Sequence, residues 1–425
     1  MPLALSLSGT ILLAQTGRNP LESITAGLDR LSPSLLSLYQ DLHRQPELSG
    51  KEVKTAARMA GELRKAGFEV ATGVGGTGVV GVLRNGAGPV LLLRTELDAL
   101  PVEEKTGLPF ASQVPGVMHA CGHDLHMACW LGAATVLAGM KDRWRGTLLM
   151  VGQPAEEIVE GARAMISDGL FTRFPKPTAA LALHDRADLP AGRVSWVAGY
   201  AMANVDSVDV TVFGRGSHGA RPELSVDPVL IAARTVLALQ TLVSREKDPL
   251  EPAVLTVGSI HGGTKHNIIP DEVKLQMTVR SYAPAVRKLL LSGIGRIARA
   301  EALAAGAPKE PAVVYSEGQE ATWNDPALTR RLAARLAREL GPENVVEGRP
   351  DMVAEDFGEF GKAAGIPSVL LRFGAADPAR VQAGGPLPSL HSGHFAPLPG
   401  PAIRTGATVL ALAALEILDG TENKK

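Results

Sequence analysis

The chain has 425 residues, of which 45% are hydrophobic and 20% charged, and its formal net charge is −1. This length exceeds what one hydrophobic core usually organises, so we expect two domains. The balanced charge leaves no basic excess to neutralise phosphates, which excludes nucleic acid as an expected partner. The only two cysteines are Cys121 and Cys129, so no disulfide framework is expected. A cysteine two residues before His123 suggests a metal ligand or a nucleophile.

The first residues form a separate segment, which we predict to be a leader over residues 1–20. Residues 3–14 have the sequence LALSLSGTILLA, an apolar stretch of signal-peptide length that is too short to span a bilayer. Because no Lys or Arg precedes it, the stretch is either a weak export signal or a leader that is apolar by accident. We favour a periplasmic or secreted location over a cytoplasmic one. No other apolar run of about 18 residues occurs, so we do not expect the mature protein to cross a membrane.

After the leader, short apolar runs alternate with helical patterns, which is typical of an α/β sheet with helices on both faces. The predicted strands are 79–83, 90–94, 147–152, 179–183 and 368–373. The predicted helices are 34–42, 52–66, 125–140, 157–169, 327–340, 357–364 and 402–418. Together they predict one large α/β domain made from residues 21–202 and 314–425.

The middle of the chain has a different pattern. It predicts strands at 207–213, 253–260 and 272–282, and helices at 228–244 and 284–304. Asp227 and Pro228 supply an N-cap and a first helical residue for the first of these helices. The order strand–helix–strand–strand–helix predicts a small α+β domain at 203–313. Because the α/β pattern resumes afterwards, this domain is inserted into the large one.

Polar side chains follow the predicted strands or lie in loops of the large domain. The candidates for metal binding or proton transfer are Asp98, Cys121, His123, Glu156, Glu157, His184, His391 and His394. Ligands of open α/β sheets bind beyond the carboxyl ends of the strands. We therefore expect these side chains to converge on one rim of the sheet, as a site for two metal ions requires.

The chemistry of these side chains suits a borderline cation. Thiolate, imidazole and carboxylate together favour zinc, with manganese, cobalt and nickel as further options. Within the pair Glu156–Glu157, one carboxylate can bind metal while the other faces the substrate and moves protons. Taken alone, each pattern also fits a packed cysteine, a core histidine or acidic residues at a helix start. The joint placement at strand ends favours the metal site, with His119 and His126 in structural or supporting positions.

Nine motifs extend this interpretation over nearly the whole chain. They are DLHRQPELS (41–49), RTELDALPVEE (94–104), MHACGHDLHM (118–127), GQPAEE (152–157), LALHD (181–185), GRGSHGARPELSVDP (214–228), GGTKHNIIPD (262–271), AEDF (354–357) and LHSGHF (390–395). In these motifs the chain resembles the metal-dependent aminoacylase and carboxypeptidase superfamily, in the branch of hippurate hydrolases and indole-acetyl-amino acid hydrolases. Where that branch usually has Asp and His, this chain has Glu96 and Glu223. The second change lies near the expected substrate site.

The resemblance implies a fold and a ligand set. The fold would be a zinc-peptidase-like catalytic domain with a mixed, mostly parallel sheet, plus an inserted ferredoxin-like α+β domain that serves as lid and dimerisation surface. Two divalent ions (Mn, Zn, Co or Ni) would be bound, with Cys121 as the bridging ligand. The remaining metal ligands would be His123, Glu157, His184 and His391.

The resemblance also implies roles for the other residues. Glu156 would be the general acid/base, and Asp98 would orient the site. In a homodimer, His218 of the inserted domain would reach the partner subunit's site and stabilise the oxyanion. Asn267 and Arg280 would bind the carboxylate of the substrate, a task for which the two-pronged guanidinium of arginine is suited.

The implied activity is metal-dependent hydrolysis of the amide bond of an N-acyl amino acid, giving a carboxylic acid and an amino acid. Within the same class, the alternative is a dipeptidase or carboxypeptidase acting on small peptides. Two hypotheses come from other classes. Cys121 is either a nucleophile activated by His123, or part of a non-catalytic metal-binding protein, for which an intact Glu156 is unexpected.

Overall fold

A computed structural model describes residues 19–418 of the chain. The apolar stretch 3–14 and nearly all of the predicted leader lie outside these residues. The described chain begins with a helix at Pro20, and the side chain of Asn19 accepts a hydrogen bond from the backbone N–H of Leu21 at 3.1 Å. Asn19 and Pro20, the last two residues of the predicted leader, therefore form the start of α1.

The helices and strands follow one another in the alternating order that the sequence predicts. The helices are α1 (Pro20–Arg44), α2 (Val53–Lys65), α3 (His123–Ala138), α4 (Gly161–Ser167), α5 (Leu170–Arg173), α6 (Pro228–Thr241), α7 (Pro284–Ala304), α8 (Pro326–Leu340), α9 (Gly358–Ala364), α10 (Pro378–Ala383) and α11 (Pro399–Leu418). The strands are β1 (Glu69–Val74), β2 (Gly78–Asn85), β3 (Val90–Glu96), β4 (Gly146–Gln153), β5 (Ala179–Pro190), β6 (Val194–Trp196), β7 (Gly199–Met202), β8 (Val205–Phe213), β9 (Ser217–His218), β10 (Ala253–His261), β11 (Ile268–Ile269), β12 (Glu272–Ser281), β13 (Ala312–Gln319), β14 (Thr322–Asn324), β15 (Val345–Glu347) and β16 (Ser368–Ala376).

The large domain is built on an eight-stranded mixed sheet with the order β1-β2-β4-β3-β5-β16-β6-β15. Its central strands β4, β3, β5 and β16 run parallel to one another. Leu91 and Leu93 pack toward the face covered by α1, α3 and α11, while Leu92 packs on the other face with α4 and α9. Because both faces are covered, these strands have continuous apolar sequences, and this is why the sequence predicts them well.

The inserted domain contains a four-stranded antiparallel sheet with the order β10-β12-β8-β13. Val208, Val210 and Val212 alternate into a separate apolar core shared with α6 and α7. The order βαββαβ is that of a ferredoxin-like fold. The predicted combination of a mostly parallel α/β sheet with an inserted α+β domain is therefore confirmed.

The last strand of this small sheet extends the inserted domain along the chain. β13 pairs with β8, with Ala312 opposite Thr211 and Gln319 opposite Val205. The sequence prediction ends the insertion at residue 313 and contains no strand here. Residues 314–319 thus belong to the sheet of the small domain. The sequence does not predict this strand because a half-exposed edge strand carries only a weak apolar pattern.

The C-terminal helix α11 lies in the main core, against α1 and α3. Within residues 19–418 it is the one helix long and apolar enough to cross a membrane, and it is mostly buried inside the protein. A side chain at Gly406 would meet Cys129 Sγ at 2.5 Å. Cys129 is therefore a packing residue at a close helix–helix contact, and neither cysteine forms a disulfide.

Candidate metal centre

The five predicted metal ligands converge beyond the carboxyl ends of the central strands. Cys121 Sγ lies 3.5 Å from His184 Nε2 and 3.3 Å from His391 Nε2. The carboxylate of Glu157 lies 3.5 Å from His391 Nε2 and 3.7 Å from His123 Nε2. Among the groups of donors whose ligand atoms lie within 4.8 Å of one another, two consist entirely of these residues: Cys121–His123–His184 and Cys121–Glu157–His391. Cys121 belongs to both groups, which is the position of a bridging ligand.

Unusual backbone conformations hold these ligands in place. The non-glycine residues with positive φ in residues 19–418 are Ala155, Val159 and His391, at 51°, 51° and 63°. Two of them flank the Glu156–Glu157 pair, and the third is itself a predicted ligand. Between Cys121 and His123, Gly122 has φ 75°, and a Cβ there would lie 2.8 Å from the carboxylate of Asp185. Such backbone strain is concentrated at functional sites.

This strain also explains a difference from the predicted secondary structure. The sequence predicts a helix from residue 157, whereas α4 begins only at Gly161. The intervening turn bends the chain at Val159 and lets Glu157 reach the ligand cluster. Local helical preference is overridden by the positioning of one carboxylate.

The ligand imidazoles are oriented from behind by protein oxygens. Nδ1–H of His123 donates to the carbonyl oxygen of Asp98 at 2.8 Å, and Nδ1–H of His184 donates to that of Asp185 at 2.9 Å. The carboxylate of Asp98 in turn accepts hydrogen bonds from Ser49 Oγ at 2.7 Å and from the backbone N–H of Glu157 at 3.0 Å. Both imidazoles therefore present Nε2 to the cluster, an arrangement typical of metal-binding histidines.

The chemistry of the cluster fits two divalent cations. His123 Nε2 and Glu157 Oε1 are buried and have no hydrogen-bond partner in the described chain. Leaving such atoms unpaired costs on the order of 1–3 kcal/mol each unless a ligand satisfies them. A thiolate, three imidazoles and a carboxylate are the donor set that zinc and its neighbours in the first transition row prefer.

The environment of Cys121 argues against the nucleophile hypothesis. Burial raises the pKa of its thiol well above the usual value, and the nearby Glu157 and Glu156 raise it further. A catalytic cysteine needs the opposite, a lowered pKa that favours the thiolate. A bound cation would reverse this balance, because coordinated thiols are deprotonated.

The paired glutamates sit in different surroundings. Burial raises the pKa of Glu157 to about 7. Burial also raises the pKa of Glu156 well above its usual value, and Glu355 and Glu157 add to the shift. Glu156 is 6% exposed, and its carboxylate lies 3.8 Å from His123 Nε2. A carboxyl group with such a raised pKa beside a ligand cluster suits proton transfer.

Beneath the cluster lies a fully buried charge network, which we call the Arg94 network: Arg94, Glu96, Gln153, Glu355 and Asp356. The guanidinium of Arg94 pairs with Glu96, with Glu355 at 2.7 Å and with Asp356 at 3.1 Å. His126 connects Glu96, at 3.0 Å from its Nδ1, to the backbone N–H of Asp185. Sequence reasoning assigned no role to this network. Its signal was a charged residue, Arg94, ending an otherwise apolar strand.

A cavity of about 660 Å³ opens above the cluster. Cys121, Glu156, Glu157, His184 and His391 line it together with Arg280, Asp351 and Arg372. Of the three site residues predicted in the inserted domain, Arg280 therefore faces the same cavity as the metal ligands. His218 and Asn267 do not line it. Instead, β9 pairs with β11, which places exposed His218 opposite Ile268, next to Asn267.

Comparisons with known proteins agree with this geometry. Residues 92–416 match Peptidase family M20/M25/M40. N-acetyl-L-cysteine deacetylase of Bacillus subtilis is 37% identical over 340 residues, which cover 80% of this chain and 80% of that protein. Hippurate hydrolase of Campylobacter jejuni is 38% identical over 340 residues, which cover 78% of this chain and 87% of that protein.

A solved structure extends the agreement to the fold. The YXEP protein of Bacillus subtilis, described as a dinuclear metal-binding peptidase from the M20 family, matches with a TM-score of 0.78 and 28% identity, covering 92% of this chain and 99% of that one. The resemblance drawn from the sequence motifs is thereby confirmed. The chain belongs to peptidase family M20/M25/M40 and is a metal-dependent hydrolase.

Proposed function

We propose that this enzyme hydrolyses the amide bond of N-acyl amino acids, releasing a carboxylic acid and a free amino acid. The observation that carries the proposal is the shared cavity. One wall holds the ligand cluster with Glu156 beside it, and another holds the guanidinium of Arg280. An amide placed at the cluster would thus share a cavity with Arg280, whose guanidinium can bind a free carboxylate. The deacetylase and hydrolase names of the similar proteins support this substrate class.

The ligand assignment follows the two donor groups. Cys121 would bridge two divalent ions, with His123, Glu157, His184 and His391 as the remaining protein ligands. Manganese, zinc, cobalt and nickel are the candidate metals. When bound, such ions supply Lewis acidity that polarises the amide carbonyl and acidifies water.

Glu156 would act as the general base and then as the general acid. It accepts a proton from the attacking water and passes it to the departing amine nitrogen. Its buried position keeps bulk water from competing for that proton, and its raised pKa favours holding the proton between the two transfers. Asp98, through His123, would hold the cluster in the geometry that this transfer needs.

Arg280 would bind the α-carboxylate of the substrate. Its Nη1 donates to the carbonyl of Met352 at 3.3 Å, which fixes the side chain against the wall of the cavity. Asn267 would assist from the inserted domain, where its buried Oδ1 has no partner in the described chain. Since His218 and Asn267 stand together outside this subunit's cavity, we propose that a homodimer brings them to the site of the partner subunit.

A subunit-mixing experiment tests the shared site. His218→Ala and Glu156→Gln are each inactive in our proposal, and the two proteins are mixed after dissociation and reassembly. If His218 serves the partner, each mixed dimer has one site with both defects and one with neither, so about half of the dimers regain one working site. If His218 serves its own subunit, every site keeps a defect, and the mixture stays inactive although mass spectrometry shows exchange.

A substrate screen tests the function itself. N-acetyl, N-benzoyl and indole-acetyl amino acids, their α-amides and a set of dipeptides are incubated with enzyme loaded with each of the four metals. We expect the N-acyl amino acids to be cleaved and their α-amides to be poor substrates, with Arg280→Ala losing this discrimination. Preferential cleavage of the dipeptides would instead establish the alternative, a dipeptidase or carboxypeptidase. The description of the YXEP protein as a peptidase supports that alternative.

A further inference from the structure

Two arginines from different domains reach the cavity. Arg280 lies on β12 of the inserted domain, whereas Arg372 lies on β16 of the large domain. In the parallel pairing of β16 with β5, Arg372 stands opposite His184. Paired residues of neighbouring strands place their side chains on the same face. Arg372 therefore projects beside a predicted metal ligand, and it lines the same cavity.

The guanidinium of Arg372 lacks the compensation that buried cations normally have. Its Nε is buried without a hydrogen-bond partner, and within residues 19–418 no carboxylate accepts a side-chain hydrogen bond from it. The nearby Arg186 does not share this feature, since it forms a two-pronged pair with Asp188 at 2.8 and 2.7 Å. Buried charges are otherwise found paired, because an isolated one loses its hydration without return.

The lack of a carboxylate partner for the Arg372 guanidinium contrasts with the pairing of Arg94. Burial lowers the pKa of both groups, but Glu355, Glu96 and Asp356 raise the pKa of Arg94 overall. The pKa of Arg372 stays lowered, by burial first, although Asp351 on the cavity wall acts in the opposite direction. One arginine is neutralised by the protein, and the other is left with its charge facing the cavity.

We infer that Arg372 binds a second anionic group of the substrate, so that the preferred substrates are N-acyl amino acids with two carboxylates. This inference rests on the proposed function and adds the substrate class to it. Arginine binds a carboxylate through two parallel N–H···O bonds, one of which would pair the orphaned Nε–H. The second carboxylate belongs either to the side chain of an acidic amino acid or to a dicarboxylic acyl group. Both present the same chemistry to Arg372.

Two matched pairs of substrates separate these sources. N-acetyl-L-glutamate is compared with N-acetyl-L-glutamine, and N-succinyl-L-leucine with N-butyryl-L-leucine. The members of each pair have the same carbon chain and differ in the second charge. A charge-assisted hydrogen bond is worth about 1.5–3 kcal/mol, so we expect kcat/KM to favour the charged member of one pair by roughly 10–150-fold.

Variants assign the preference to Arg372. Arg372→Gln should lose the preference, lowering kcat/KM much more for the charged member of the pair than for the neutral one, and Arg372→Lys should keep part of it. Arg186→Gln, which removes an arginine already paired with Asp188, should leave the preference intact. Metal content by plasma mass spectrometry should be equal in all four proteins. Equal losses of Arg372→Gln on both members of a pair would show that Arg372 only supports His184, and would overturn the inference.

A binding measurement makes the test independent of turnover. By calorimetry on the metal-loaded enzyme, succinate should bind at least tenfold more tightly than butyrate, or glutamate more tightly than glutamine, and Arg372→Gln should abolish the difference. Absence of any such difference in the wild type contradicts the inference even if neutral N-acyl amino acids are cleaved. Failure to cleave any N-acyl amino acid, with the binding difference present, counts against the proposed function alone.

Discussion

The large domain contains two neighbouring clusters of charged side chains, and the protein satisfies their hydrogen bonds to different extents. In the Arg94 network the protein pairs every donor of the guanidinium, through Gln153, Glu96, Glu355 and Asp356. In the ligand cluster, His123 Nε2 and Glu157 Oε1 have no hydrogen-bond partner within residues 19–418. The Arg94 network is fully buried, whereas the ligand cluster opens onto the cavity, where His391 is exposed. Burial alone still does not separate structure from function, because His123 is as buried as Arg94. Completeness of hydrogen bonding does, because only the incomplete cluster has room for a ligand.

The largest effect on stability should come from removing the cation of the Arg94 network. Arg94→Leu removes the cation that holds Glu96, Glu355 and Asp356 together and leaves buried carboxylates uncompensated. Breaking a buried ion pair in this way costs about 3–5 kcal/mol. We expect a loss of that size in the free energy of unfolding, measured by denaturant titration. Arg372→Gln is the matched control, since removing an unpaired buried cation should cost little, and a loss below about 1 kcal/mol for Arg94→Leu would show that the network is not structural.

The next largest effect concerns proton transfer. Glu156→Gln should keep both metals and bind substrate but lose turnover about a hundredfold or more, because an amide cannot accept the proton of the attacking water. Steady-state kinetics and metal analysis measure the two properties separately. Glu157→Gln is the neighbouring control and should lose metal. If the two variants exchange these behaviours, the assigned roles are reversed.

Changing one predicted ligand in the ligand cluster should release metal without unfolding the protein. Cys121→Ser replaces the thiolate of the proposed bridging ligand by a hydroxyl, a far weaker ligand, and we expect most of the bound metal to be lost on dialysis. Circular dichroism should be unchanged. Cys129→Ala is the matched cysteine control and should retain its metal, because Cys129 packs against Gly406 away from the cluster. Full occupancy of Cys121→Ser in plasma mass spectrometry would remove Cys121 from the ligand set.

The smallest effect concerns a third buried group, in which His43 lies between Asp124 at 2.6 Å and Glu104 at 3.3 Å. Although burial opposes it, these partners raise the pKa of His43 from 6.5 to about 9. Burial likewise opposes the shift of Glu104, whose pKa falls from 4.5 to about 2, chiefly through His43. A raised histidine pKa means that its stabilising contribution is complete below pH 6.5 and is lost as the pH rises toward 9. The Glu104 contribution is complete above pH 4.5 and is lost as the pH falls toward 2.

The test compares wild type with His43→Gln, both saturated with metal. The difference in their free energies of unfolding should be constant between about pH 5 and 6 and should shrink as the pH rises from 6.5 to 9. Metal content should be the same in both, since this group is completely paired, like the Arg94 network. A difference that does not change with pH over this window would mean that His43 stays neutral.

Several features of this protein were determined by the sequence alone. The apolar runs of β3, β4 and β5 predict central strands because parallel strands buried on both faces need continuous apolar residues. The motifs predict five metal ligands, and the rule that ligands bind beyond the carboxyl ends of the strands predicts that these side chains share one rim. The alternation of valines in β8 predicts a sheet with one packed face. Each of these inferences uses residues that are close along the chain, where local periodicity carries the information.

What only the tertiary structure decided involves residues that are far apart in sequence. Arg94 meets Glu355 and Asp356 across more than 250 positions, so no local pattern shows that its charge is neutralised. Arg372 is likewise a cation within an apolar strand, yet within residues 19–418 no carboxylate accepts a hydrogen bond from its side chain, and it lines the cavity. The turn at Val159 that delivers Glu157 contradicts local helical preference. The sequence shows that a buried group is charged, but packing sets its partners. Those partners decide whether the charge stabilises the fold or remains available to bind a substrate.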